Sequence, residues 1–135
     1  MSLTEDECIA LLSARTVGRI AVVHEGYPAV FPVNYVMVRA EEGFMIAIRT
    51  RPTNVIDRVD ELVAFQIDST EVGRDRGWSV LVRGRLLAVT PDEVYDSHPI
   101  LDGRDAWRIV IPHVVTGRKV DPPSSDWDYD AAAYL

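Results

Sequence analysis

The chain has 135 residues, of which 47% are hydrophobic and 26% are charged, and this size and balance predict one soluble domain with a single core. A formal net charge of −7 argues against nonspecific nucleic-acid binding, which needs clustered Lys and Arg. No apolar run approaches the ~20 residues of a membrane helix, and a single cysteine excludes an internal disulfide, so we expect a cytoplasmic protein.

A helix is predicted close to the amino terminus. Thr4 and Glu7 have the spacing of a capping box, in which the Thr4 hydroxyl accepts from the Glu7 amide and Glu7 reaches back. Cys8, Leu11 and Leu12 then recur at helical spacing and form a narrow apolar stripe. The pattern changes to a period of two soon afterwards.

Six segments have the composition and alternation of strands. They cover residues 20–23, 29–38, 44–48, 62–67, 78–89 and 108–115. Short turns such as Glu25-Gly26 join most of them into antiparallel hairpins. Small antiparallel sheets of this kind usually close into a barrel, because closure removes unpaired edges. The predicted fold is therefore mainly β, with six antiparallel strands in a barrel.

Short helices are expected between strands, at residues 52–58 and 91–97, where Thr53 and Thr90 have the position of helix caps. Residues 1–120 are expected to form the domain, and residues 121–135 an acidic, extended tail.

Pro32 and Gly84 interrupt two of the predicted strands. Proline cannot donate to a ladder, so Pro32 is expected at an edge, at a bulge or facing a ligand. Glycine inside a long strand predicts a bend or a bulge at Gly84.

Three short stretches carry the functional prediction: residues 32–35, 49–54 and 77–80. Residues 32–35 and 77–80 offer aromatic side chains and backbone groups against which a flat ligand could lie. Residues 49–54 offer Arg49 and Arg51 in a turn that can bind an anion. A flat cofactor with a phosphate needs both kinds of surface. The helix expected after this turn adds backbone amides for the same anion.

These residues also have purely structural interpretations. Arg49 and Arg51 could be solvated residues at a strand end, and Asn34 could only satisfy nearby backbone. Tyr35 could belong to the core, and Trp78 could serve packing, the usual role of a large aromatic side chain.

Other reaction centres are not expected. His24, His98 and His113 lack metal-ligand spacing, and no Cys or carboxylate cluster joins them. Ser79 is not in a nucleophile-elbow pattern, and no glycine-rich dinucleotide or phosphate-loop motif is present. The sequence therefore predicts neither a metal site, a hydrolase nor a Rossmann enzyme.

A series of short motifs runs through most of the chain, at residues 17–21, 26–30, 32–35, 63–68, 77–84 and 115–118. In their order and spacing the chain resembles the flavin-binding split-barrel family related to pyridoxamine 5′-phosphate oxidase. More narrowly, it is similar to the branch that includes nitroimidazole-resistance proteins. The resemblance covers Leu3 to Arg118 and implies a split β-barrel with short peripheral helices.

The resemblance also implies a homodimer with flavin mononucleotide (FMN) in the groove between the two copies. Residues 32–35 would line the flavin ring, largely through backbone groups, residues 49–54 would hold the phosphate, and residues 78–80 would build the groove or the subunit contact. The implied cofactor-binding residues are Pro32, Val33, Asn34, Tyr35, Arg49, Thr50, Arg51, Thr53, Asn54, Trp78 and Ser79. No catalytic residue is implied, since the ring would carry the redox chemistry.

Asn54 departs from the family pattern, because relatives commonly have a lysine in this turn. Absence of the lysine removes a charged hydrogen bond of ~1.5–3 kcal/mol to the phosphate, which Arg49 or Arg51 would have to replace. Two functions therefore stay open. One is an FMN-dependent oxidoreductase acting on a small molecule; the other is a non-enzymatic binder of flavin, haem or the deazaflavin coenzyme F420, or a dimeric scaffold with a degenerate site.

Overall fold

A computed structural model of the protein describes residues 1–50, 56, 60–71, 76–89 and 106–120. They form one helix and six strands: α1 (Glu5–Ser13), β1 (Val17–His24), β2 (Tyr27–Ala40), β3 (Gly43–Thr50), β4 (Glu61–Glu71), β5 (Arg76–Val89) and β6 (Ala106–Val120). Every strand pair is antiparallel, and the sheet closes in the order β1-β2-β3-β6-β5-β4. The predicted six-stranded, mainly β barrel is confirmed.

Three sequence predictions lie outside the described residues. These are the two inserted helices at 52–58 and 91–97, apart from the buried Ile56, and the tail at 121–135. They stay predictions.

The capping box that begins α1 is confirmed. The Glu7 amide donates to Thr4 Oγ1 at 3.2 Å, and the Thr4 amide donates to Glu7 Oε1 at 3.0 Å. Cys8 and Leu12, from the predicted apolar stripe, are 1% and 0% exposed and pack into the core. Burial raises the pKa of the Cys8 thiol, so the cysteine is held neutral as a packing residue. The helix thus covers one end of the barrel.

The strands are longer than their apolar segments predict, because main-chain pairing continues into polar residues. β6 is the clearest case, since Arg118 and Lys119 still pair with β5. The amino-terminal segment pairs with the other edge of β6 here, and Leu3 N–H donates to the Gly117 carbonyl at 2.9 Å. Hydrogen bonding between distant segments, and not hydrophobicity, extends this strand.

Side chains on each strand alternate between the barrel interior and an outer face. On β3, Ile46 and Ile48 belong to the interior cluster, while Ala47 belongs to a second cluster. That outer cluster also contains Trp107 and Ile109 of β6, each 5% exposed. The outer face of β3 and β6 is therefore a buried surface in its own right.

β2 changes partner along its length, and this change splits the barrel. Residues 27–34 pair with β1, whereas residues 35–40 pair with β3. Pro32 lies in the first part, where no described strand pairs with the opposite edge of β2. The expected edge position of Pro32 is confirmed.

The expected irregularity at Gly84 is a β-bulge. The register between β5 and β6 shifts between Arg83, opposite Val114, and Gly84, opposite Pro112. Pro112 lacks a ladder donor, which a bulge tolerates and a regular central strand does not.

Tyr35 is a core residue with one polar contact. It is 3% exposed, its ring packs edge-on against Phe65 with centroids 4.8 Å apart, and its hydroxyl donates to the Leu12 carbonyl at 2.6 Å. Burial raises the pKa of Tyr35 to about 12. The hydroxyl thereby ties β2 to the end of α1.

We expect Tyr35→Phe to lower the free energy of unfolding by about 1 kcal/mol near pH 8, through loss of this buried hydrogen bond. The folded-state pKa of Tyr35 lies above that of an unfolded tyrosine, so the stability it contributes is complete below about pH 10. That contribution is lost as the pH rises towards about 12. Urea unfolding of both proteins at pH 8 and pH 11 checks this, and a difference independent of pH would contradict it.

Candidate functional site

A cavity of about 370 Å³ lies on the outer face of β2, β3 and β6, and we call it the Arg49 groove. Its size is that of ordinary small-molecule pockets, which span ~300–1,000 Å³. It brings together three of the residues predicted from the sequence, Asn34, Tyr35 and Arg49. The other lining residues are Thr16, Val36, Ala47 and Trp107.

Arg49 lies against an aromatic ring at this groove. The β3–β6 register places it directly opposite Trp107, and its Cζ is 5.4 Å from the centroid of the Trp107 ring. Trp107 is 5% exposed, so the positive charge rests on a buried wall. A cation held over an indole in this way is attracted by the electron-rich face of the ring.

Trp107 Nε1 is a buried donor for which the described residues provide no acceptor. Leaving such a donor unsatisfied costs about 1–3 kcal/mol. The donors at the groove itself are those of the Arg49 guanidinium and the Asn34 amide. That chemistry fits a ligand with several acceptor oxygens, such as a phosphate.

Beside the groove, one edge of β2 pairs with no described strand, and it has the opposite character. Tyr35 N–H donates to the Thr16 carbonyl at 2.9 Å, on the β1 side, so the alternation of the strand turns the backbone groups of residues 28, 30 and 32 towards the open edge. Two of these residues are prolines, which leaves Val30 as the N–H donor among the three. The edge is therefore mostly carbonyl and suits a ligand with N–H groups, such as the imide of a flavin ring.

Side-chain alternation divides the predicted stretch 32–35. Pro32 and Asn34 face outwards, whereas Val33 and Tyr35 pack against the barrel interior. Tyr35 reaches the groove wall, but its hydroxyl is already bonded to Leu12. From this stretch, Asn34 thus offers a polar side chain to the groove.

The turn predicted to bind the phosphate, residues 49–54, is only partly described. Thr50 is 2% exposed and lies on the opposite face of β3 from Arg49. Arg51, Thr53 and Asn54 lie outside the described residues. Their predicted contacts with a cofactor stay predictions.

Trp78 and Ser79 do not line the Arg49 groove. Trp78 packs on the barrel core, with Arg15 Cζ 5.0 Å from its ring centroid. Ser79 lies opposite Asp68 on one side and Arg118 on the other.

Trp107 is the groove residue in contact with Arg49 that the sequence did not indicate. It lies directly before the strand predicted at 108–115 and in no local motif, and its contact with Arg49 depends on pairing between β3 and β6. No signal in the sequence could have identified it, because the pairing of β3 with β6 is not predictable from either strand alone.

A second cavity, of about 450 Å³, lies on the outer side of β1, β4 and β5, with His113 and Arg83 at its rim. The sheet surface around and beside it exposes large apolar side chains, which we call the apolar face: Val17, Val23, Val30 and Leu62, at 56%, 58%, 62% and 68% exposure. Val17 lies opposite Asn34 in the β1–β2 register, so this face reaches the Arg49 groove.

Within the described residues, no group of three or more His, Cys, Asp or Glu side chains could hold a metal ion. In the same part of the chain, no helix has the length and apolar character needed to cross a membrane.

Comparisons with known proteins agree with this architecture. The chain is 30% identical over 133 residues to the uncharacterized protein Rv0080 of Mycobacterium tuberculosis, covering 89% of this chain and 85% of the relative. The structure of the FAD binding protein from Mycobacterium smegmatis superimposes with a TM-score of 0.71 at 27% identity, over 89% of this chain and 98% of that one.

A candidate 5-nitroimidazole antibiotic resistance protein from Bacteroides thetaiotaomicron shares the fold, with a TM-score of 0.67 at 13% identity, over 89% of this chain and 86% of that one. The sequence profile of the pyridoxamine 5′-phosphate oxidase family matches residues 4–118, nearly all of the barrel. Fold, motif order and profile agree, and the chain belongs to the pyridoxamine 5′-phosphate oxidase family.

Proposed function

We propose that the protein binds a flavin nucleotide in the Arg49 groove and uses it to oxidise or reduce a small molecule. The flavin that we propose is FMN. The observation that carries this proposal is the Arg49 guanidinium over Trp107, in a groove that also contains Asn34. The similar protein from Mycobacterium smegmatis, described as an FAD binding protein, supports a flavin over other cofactors.

In this proposal the two chemical surfaces of the groove have different tasks. Arg49 donates to the phosphate, where a charged hydrogen bond is stronger than a neutral one. The carbonyl-rich edge of β2 orients the ring through its N–H groups. A bound flavin supplies the redox chemistry, and the protein supplies binding and orientation.

Haem fits this groove less well. Among the described lining residues there is no His, Cys or Met to act as an axial ligand. The Tyr35 hydroxyl donates to Leu12, and its pKa of about 12 disfavours the phenolate that would bind iron. A deazaflavin, with its longer acidic tail, would need further cations beside Arg49.

A flavin-binding protein without turnover is the second candidate function. It is favoured because no His, Asp or Glu is present among the described residues that line the groove. Absorbance of the purified protein, followed by reduction with and without candidate electron acceptors, separates a carrier from an enzyme.

We expect Arg49→Ala to weaken FMN binding by at least ~1.5 kcal/mol, roughly tenfold, because a charged hydrogen bond to the phosphate is lost. Riboflavin, which lacks the phosphate, should bind both proteins alike. Fluorescence titration with the two ligands checks this, with Arg39→Ala as the control because Arg39 is exposed on β2 outside the groove. Equal loss for FMN and riboflavin would mean that Arg49 acts through folding.

We also propose that the protein is a homodimer in which the apolar face of one copy packs against the other. Four large apolar side chains more than half exposed on one sheet surface are costly in water, and large exposed patches mark interaction sites. Because the apolar face reaches Asn34, a second copy would close the open side of the Arg49 groove. This arrangement gives the flavin ring two walls.

We also propose a cytoplasmic location. The single cysteine is 1% exposed and neutral, as expected of a chain that does not rely on disulfides. Localisation of a tagged full-length chain in the host cell tests it.

A further inference from the structure

Packing alone does not explain why residue 107 is a tryptophan. Its side chain is 5% exposed, yet Nε1–H finds no acceptor within the described part of the chain. A phenylalanine would fill a buried apolar position without bringing a donor that must be satisfied. Something other than packing must favour the indole.

Arg49 provides that reason. It lies opposite Trp107 on the neighbouring strand, with its Cζ 5.4 Å from the ring centroid. Indole attracts a guanidinium more strongly than the phenyl ring does. A guanidinium held by its face also directs its five N–H donors away from the ring, in the plane of the guanidinium, where an anion can meet them.

We propose that Trp107 is a positioning residue that holds the Arg49 guanidinium in place for the phosphate of the cofactor. The inference rests on the proposed function and adds the residue that orders its anion-binding group. The Trp107 ring is itself well fixed, since it is 5% exposed and packs in the outer cluster with Ala47 and Ile109. An arginine ordered before binding loses less side-chain freedom when the ligand arrives.

Affinity measurements on the full chain test this proposal. We expect Trp107→Leu to weaken FMN binding about five- to tenfold, with riboflavin changed by less than about twofold. Trp107→Phe, which keeps a ring, should lie between the wild type and Trp107→Leu. In an Arg49→Ala background neither change should weaken FMN binding further. Equal losses for FMN and riboflavin, or losses that add to that of Arg49→Ala, would overturn the proposal.

A readout without flavin separates this proposal from the proposed function. In NMR spectra of the protein without flavin, the Arg49 Nε–H signal can be assigned by its loss in Arg49→Ala. This signal should carry a ring-current shift that Trp107→Phe retains and Trp107→Leu removes. Inorganic pyrophosphate should perturb this signal more in the wild type than in Trp107→Leu. If the wild type binds pyrophosphate in this way but no flavin, the proposed function fails and the positioning role stands. A signal indifferent to residue 107 overturns the positioning role, whatever flavin does.

If Trp107→Leu does not fold, the Phe variant decides the question. Trp107→Phe should cost about two- to threefold in FMN affinity when Arg49 is present, and nothing when it is alanine. A loss that is the same in both backgrounds would contradict the proposal.

Discussion

Gly84→Ala is expected to destabilise the protein by at least ~3 kcal/mol, a large part of the 5–15 kcal/mol that holds a typical domain together. A Cβ at Gly84 would lie 2.1 Å from the Ile111 carbonyl oxygen and 2.9 Å from its carbon. Both atoms belong to the backbone of β6, so no side-chain rotation can relieve the contact. The β5–β6 pairing would have to open at the bulge.

Gly43→Ala is the matched control for this substitution. Gly43 has a φ of 95° and open space around its missing Cβ, so alanine there meets backbone strain without a steric clash. We expect that strain to cost about 1–2 kcal/mol. Thermal and urea unfolding of the two variants should separate the two effects. A Gly84→Ala protein as stable as Gly43→Ala would show that the bulge can move aside.

The local features of this fold were predictable because their causes are local. The capping box of α1 needs only Thr4 and Glu7 at the right spacing, and the turn at Glu25 and Gly26 needs only two residues that accept positive φ, here 52° and 82°. An edge was among the positions predicted for Pro32, because a proline has no N–H group to donate to a neighbouring strand. Each of these follows from a few neighbouring residues.

The groove required information that no local pattern contains. Arg49 and Trp107 meet only because β3 pairs with β6, and their register cannot be read from either strand alone. Alternation on β3 then decides that Arg49 faces the groove while its neighbour Thr50 is buried. The predicted stretch 49–54 includes both Arg49 and Thr50, but it does not show which face of the sheet each side chain occupies.

Leu62→Glu is expected to convert the proposed homodimer into monomers. Leu62 is 68% exposed, lines the second cavity and is the most exposed residue of the apolar face that we assign to the contact. Two-fold symmetry would place two new carboxylates in one interface, where each would lose water without gaining a partner. Light scattering at micromolar concentration should change from twice the chain mass to the 15.1 kDa of one chain.

The same substitution should also weaken flavin binding, although Leu62 does not line the Arg49 groove. The second copy is proposed to supply the facing wall, so its loss exposes the flavin ring to water. Ala10→Glu is the control, because it adds the same charge at an exposed position on α1, away from both cavities. A monomeric wild type would refute the dimer. A Leu62→Glu protein that remains dimeric, with unchanged flavin affinity, would place the contact elsewhere on the barrel.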